Sequence, residues 1–108
     1  MIPKLVRDKI PDIIKNSGHK YDIEILSDEL YIKALDAKLI EELTEYYESH
    51  NLEELADLLE VIYAATNALG YTVEDLEAIR VVKAHERGKF DKRIFLKKIY
   101  ERKEKKDE

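Results

Sequence analysis

The residues with the clearest capacity for chemistry are two short acidic patterns near the middle of the chain. The first is Glu41-Glu42-Leu43-Thr44-Glu45 and the second is Glu54-Leu55-Ala56-Asp57. On a helix, residues three apart share a face. Glu42 with Glu45 therefore forms one carboxylate pair, and Glu54 with Asp57 forms another. At about 100° per residue, Glu42 borders the apolar arc of Leu39, Leu43 and Tyr46, with Glu45 on the same flank. Glu54 falls among Leu58, Val61 and Ala65, and Asp57 falls beside Val61 and Ala64. A carboxylate set among apolar side chains is costly unless it is paired or holds a metal. Four clustered carboxylates repel one another unless a cation intervenes. Oxygen-only donors favour Mg²⁺, Mn²⁺ or Ca²⁺ over zinc. Mg²⁺ in such a setting keeps several waters and also binds substrate phosphates, which suits hydrolysis of a phosphoanhydride. Either pair taken singly also reads as an ordinary solvated helix face, and that alternative stays open.

The elements that must position these acids follow from the breakers and caps. Three glycines and two prolines in 108 residues leave room for long helices. Residues 12–16, after Pro11, are expected to form a short helix ended by Asn16-Ser17-Gly18, and residues 21–26 a short strand or an extended arm. Ser27 caps a helix over about 28–48, carried by Leu35, Leu39, Ile40, Leu43 and Tyr47. Ser49-His50-Asn51 breaks it. Asn51 then caps a second helix, with Glu54 at N3, which runs through Leu52, Leu55, Leu58, Leu59, Ile62 and Tyr63 to Gly70. That helix is apolar around much of its circumference, as a buried helix is. Thr72 caps a third long helix, with Asp75 at N3, ending near Gly88. The turn between the two acidic helices is short, so they are expected to pack antiparallel with both pairs near the turn and at similar height. The fold class is all-α, an antiparallel helical bundle in a single domain over 1–108, with a Lys/Glu-rich tail over about 97–108 that is expected to fray.

Composition narrows the function. The formal net charge is −5 and charged residues make up 40 % of the chain. That balance disfavours sequence-independent nucleic-acid binding, which needs a basic surface. No cysteine is present, so neither a disulfide framework nor a thiolate metal site is possible. No apolar run is long enough to span a bilayer, and the N-terminus lacks the apolar core of a signal peptide. The expected location is the cytoplasm. A chain this short buries a limited share of its surface and often oligomerises.

Basic residues supply the other half of a phosphate site. Lys4, Arg7 and Lys9 surround Asp8 near the N-terminus. Arg offers planar donors to phosphate and Lys a point charge. Triphosphate binding and a surface salt-bridge arm are equally open for this cluster. Arg80, Lys83 and Arg87 recur at helical spacing and form either a second phosphate-facing stripe or, more simply, a solvated face. Glu60 continues the acidic face as an outer acid or an exposed residue. Asn67 either contacts a base or sugar or bonds its neighbours. Tyr46, Tyr47 and Tyr63 read as core or interface aromatics rather than base-stacking residues.

Glu41-Glu42-x-x-Glu45 followed by Glu54-x-x-Asp57 resembles the signature of the MazG-like, all-α nucleoside triphosphate pyrophosphohydrolases, a superfamily that also includes phosphoribosyl-ATP pyrophosphohydrolases. Lys4-Leu5-Val6-Arg7-Asp8-Lys9-Ile10-Pro11 and Arg87-Gly88-Lys89-Phe90 resemble a small single-domain branch of it. The resemblance implies a helical bundle that forms a homodimer or a dimer of dimers. It implies hydrolysis between the α and β phosphates of a nucleotide, giving a nucleoside monophosphate and pyrophosphate. It implies Mg²⁺, with Mn²⁺ as a substitute, held by Glu42, Glu45, Glu54 and Asp57, and a role for Glu41 in orienting or activating the attacking water. A non-catalytic helical module that binds a nucleotide or a protein is the rival reading.

Overall fold

The computed structural model describes residues 2–102, which form four helices, α1 (Ile10–Asn16), α2 (Asp28–Ser49), α3 (Leu52–Ala68) and α4 (Val73–Arg87). Each long helix starts where a side chain can satisfy a free backbone N–H. The Ser27 hydroxyl accepts from Leu30 N, and Asn51 Oδ1 accepts from Glu54 N at 2.9 Å. At α4 the exchange is reciprocal. Thr72 Oγ1 accepts from Asp75 N at 3.0 Å, and Asp75 Oδ2 accepts from Thr72 N at 2.9 Å. Such caps satisfy donors that the helix itself leaves unpaired.

His50 ends α2 in the left-handed region at φ 52°, and Asn51 starts α3 directly after it. The chain thus reverses within two residues, and α2 and α3 form a packed hairpin. Helix α4 leans on α3 through a smaller contact. Helix α1 begins at Ile10, two residues before the expected start at residue 12, and buries none of its residues.

Of the two alternatives for residues 21–26, the strand is excluded: the described residues contain none, and a lone segment without a partner has no ladder to join. The expected all-helical architecture is present, and its packing within one chain is the α2–α3 hairpin with α4 on its flank. One expectation is corrected. Helix α3 is not buried in one chain: Val61 is its one buried residue, while Leu55 and Leu59 are exposed. The hydrophobic core of the described residues consists of Leu35 and Val61.

The shape states the same thing on a larger scale. The radius of gyration is 20.7 Å, against about 13 Å for a compact chain of this length. The exposed surface is 10753 Å², against roughly 6200 Å² for a folded chain of 12.7 kDa. Beyond α4, residues 88–102 form no helix or strand. Of the tail expected to fray, 97–102 are irregular and exposed, and the remainder lies outside the described residues. Among the described residues, no helix is long and apolar enough to cross a membrane.

Candidate metal centre

The hairpin brings the two acidic patterns together. One carboxylate oxygen from each of Glu42, Glu54 and Asp57 lies within 4.8 Å of the other two. Glu42 comes from the last two turns of α2, and Glu54 and Asp57 come from the first two turns of α3. Two-residue reversal at His50 and Asn51 is what sets them at one height. Ligands from the two sides of one tight turn need no other element to hold them in register.

Glu42 is the most informative of the three. It is 6 % exposed, the one buried charged residue of the described chain. Its Oε1 lies 3.3 Å from Lys38 Nζ, but its Oε2 is buried with no hydrogen-bond partner. A buried carboxylate oxygen without a partner bears a desolvation cost of a few kcal/mol. Burial raises the Glu42 pKa, the Lys38 ammonium opposes this, and the neighbouring Glu45 carboxylate pushes it further up. Glu45 is thus close enough to act on Glu42 by charge, and to hydrogen-bond it once one of the two carboxyls carries a proton, though it lies outside the tight group of three.

Glu41 faces a different environment. Burial acts to raise its pKa, but Lys38 and Lys4 outweigh that and hold it below the usual carboxylate range. Lys4 Nζ lies 3.4 Å and Lys38 Nζ 3.3 Å from its two oxygens. Glu41 is therefore a charged acid beside the group of three, whereas Glu42 is the acid whose charge is costly.

The N-terminal segment closes over this group from a distance in sequence. Arg7 Nη2 donates to Asp57 Oδ1 at 2.7 Å, a contact across fifty positions of chain. Lys4 reaches Glu41 in the same way. Two of the three N-terminal cations therefore sit on acids of the site. Lys9 instead occupies the N-cap position of α1 and joins no ion pair among the described residues. Arg80, Lys83 and Arg87 lie exposed on α4. Arg80 pairs with Glu77 of its own helix, which lowers the Glu77 pKa. None of the three forms an ion pair with Glu42, Glu54 or Asp57 among the described residues, and Arg80 lies near enough to Tyr63 for the two to interact electrostatically.

Lys38 is the residue that the motif reading missed. It contacts both Glu41 and Glu42. Its signal was present as spacing: position 38 lies three and four residues before the two acids, which is one helical face.

A groove of about 470 Å³ opens along the hairpin, lined by Asp28 and Tyr31 of α2 and by Glu60, Tyr63, Asn67 and their alanine neighbours of α3. Glu60 lies one turn from Asp57 on α3, and the groove is lined from there toward the far end of the hairpin, with none of Glu42, Glu54 and Asp57 in its lining. Glu60 and Asn67 both line it, and Tyr63 offers it an aromatic edge. Tyr46 instead packs against Tyr47 and His50 near the turn.

Comparison with known proteins adds little to this picture. No family model matches the chain, and no solved structure matches it. An uncharacterized protein of Mycolicibacterium smegmatis is 55 % identical over 42 residues, which cover 39 % of this chain and 43 % of that protein. The chain thus matches less than half the length of that relative.

Proposed function

We propose that this chain is a Mg²⁺-dependent nucleotide pyrophosphohydrolase that cleaves the α–β phosphoanhydride of a nucleoside triphosphate to a nucleoside monophosphate and pyrophosphate. The observation that carries the reading is the buried, unpartnered Oε2 of Glu42 beside Glu54 and Asp57. Such an oxygen fits a hard cation better than it fits an empty interior. Glu42, Glu54 and Asp57 would hold the ion, with Glu45 as a fourth acid, and Mn²⁺ would substitute. Bound there, a divalent cation supplies charge neutralisation at the phosphates and lowers the pKa of a water.

The chain's own residues then divide the work. Glu41, kept ionised by Lys4 and Lys38, accepts a proton from the attacking water. Arg7 and Lys4 stand where negative charge must enter, and both have donors to share with phosphate oxygens. The groove past Glu60 takes the nucleoside, with Asn67 and Tyr63 as its polar and aromatic contacts. Acids from both sides of the turn, with Lys4, Arg7 and Lys38 beside them, support a reading as a phosphate site. The working form is taken to be a homodimer or a dimer of dimers, since one chain leaves so much apolar surface uncovered. The biological role that fits is clearance of unwanted nucleotides. A phosphoribosyl-ATP pyrophosphohydrolase would use the same acids on a bulkier substrate.

Release of pyrophosphate from a panel of canonical and modified nucleoside triphosphates, with Mg²⁺ and with EDTA, tests the proposal. Metal-dependent release is expected. Its absence from a folded sample across the panel would remove the assignment.

One observation favours a second reading. Lys38 already neutralises Glu42 in part, and Arg7 already pairs with Asp57. A non-catalytic nucleotide- or protein-binding module would use those internal cations in place of a metal. It predicts that Mg²⁺ leaves the melting temperature unchanged and that Glu42→Ala raises it.

A further inference from the structure

The least explained part of the molecule is the arm after α4. Residues 89–102 carry Phe90, Ile94, Phe95, Leu96, Ile99 and Tyr100, every one of them exposed, Phe90 to 97 % and Phe95 to 87 %. No helix or strand forms there, and the chain's radius of gyration, 20.7 Å, is well beyond that of a compact fold. Six large apolar side chains in fourteen residues are not the composition of a solvated tail.

The arm is also charged oppositely to the rest. It holds six Lys and Arg against two Asp and Glu, a net of +4. Residues 1–88 hold ten Lys and Arg against nineteen Asp and Glu, a net of −9. A basic apolar arm on an acidic body matches a second copy of that body.

A receiving face is present on α2. Ile32, Ile40, Leu43 and Tyr47 are exposed, and helical spacing sets them on one stripe. Glu29 and Asp36 fall on that stripe, with Lys33 as its one cation. The stripe is centred about 120° around the helix from Glu42, which is buried while the stripe is exposed. An arm lying on it leaves the acidic group open.

We propose that two copies of this chain exchange arms, residues 89–100 of each lying along the outer stripe of the other's α2. The exchange is reciprocal, as a two-fold dimer requires. It covers apolar surface on both partners at once, and the excess exposed area of one chain is large enough to supply a stable interface. The arm's cations meet Glu29 and Asp36 of the partner copy at the rim, where charge fixes the register of the docked segment. This assembly does not depend on the pyrophosphohydrolase reading, because the stripe is centred about 120° around α2 from Glu42 and uses none of the grouped acids.

The chain lacks cysteine, so Phe95→Cys gives a single attachment point. The full-length variant, labelled there with a benzophenone, is mixed as light and ¹⁵N-labelled chains, irradiated and mapped by mass spectrometry. Light–heavy links from position 95 to peptides of residues 28–49 are expected. Links confined to one chain, or links that avoid α2, would overturn the exchange. Sedimentation equilibrium of the unlabelled protein and of the Ile94→Asp/Ile99→Asp double variant gives an independent reading. A dimer that falls to monomer on the double substitution supports the proposal. A dimer that survives it overturns the role of the arm. A wild-type monomer that binds anionic vesicles through the arm overturns it in favour of a membrane surface.

Discussion

The α2–α3 hairpin and the segment from α4 onward place their problem residues on opposite sides. The hairpin carries its awkward group inside: a buried glutamate with an unpartnered oxygen. The C-terminal segment carries its awkward groups outside: a run of large apolar side chains with nothing over them. A soluble fold normally does the reverse, with charge at the surface and apolar groups within. On the proposals made above, a small hard cation would resolve the first inversion and a second copy of the chain the second. The two rest on different residues, so each can be broken without the other.

The largest expected effect lies at the acids. Glu42→Ala should lower metal-dependent pyrophosphate release by at least about a hundredfold while helicity by circular dichroism is retained. Full activity in that variant would dissolve the hairpin's side of the contrast. Next comes the small core that holds the hairpin together. Leu35 is 2 % exposed, and Leu35→Ala should cost about 2–5 kcal/mol in urea unfolding. A much smaller loss would mean that the hairpin draws its stability from elsewhere. Lys38→Met sharpens the division between the acids and their supports. Lys38 positions Glu41 and Glu42 without being an acid of the group, so the variant should weaken Mg²⁺ affinity by roughly 10–100-fold. The smallest of the stability effects belongs to the C-terminal segment. Thr72→Ala removes half of the capping box of α4 and should cost about 1 kcal/mol, with no change in metal affinity.

The acidic group also makes stability depend on pH in a definite direction. The Glu42 pKa is raised in the fold by burial, so between the ordinary value of 4.5 and that raised value the folded state holds a proton that the unfolded state releases. Metal-free protein must then lose stability as pH rises through that window. Glu41 has a lowered pKa and acts with the opposite sign, below 4.5. Thermal melts across this range should show the upper loss in wild type and not in Glu42→Gln.

Much of the hairpin was legible in the sequence because its signals are local. Ser27, Asn51 and Thr72 cap the helices that their positions announce, since a cap needs only the next three residues. The grouping of Glu42, Glu54 and Asp57 followed from helical spacing plus one short turn. Glu45 was read into the same group and lies beside it, because spacing gives a face but not a distance. Arg7 on Asp57 was out of reach, since nothing local joins positions fifty apart. The stripes of α2 and α3 read as a core, yet Ile40, Tyr47 and Leu59 are exposed in one chain. Periodicity reports that a face is apolar and is silent about which molecule covers it. Of the arm, the part from 97 onward was read as a fraying tail, because an extended segment without a partner has no period to detect.

The measurement closest to the central claim is the melting temperature of the full chain titrated with Mg²⁺, run side by side with Glu42→Gln. The buried, unpartnered oxygen predicts a saturable rise in wild type that the variant lacks, since a ligand bound only by the folded state stabilises it. A wild-type melting temperature that ignores Mg²⁺ and Mn²⁺ alike would contradict the metal centre, and with it the reading of the hairpin as a catalytic site.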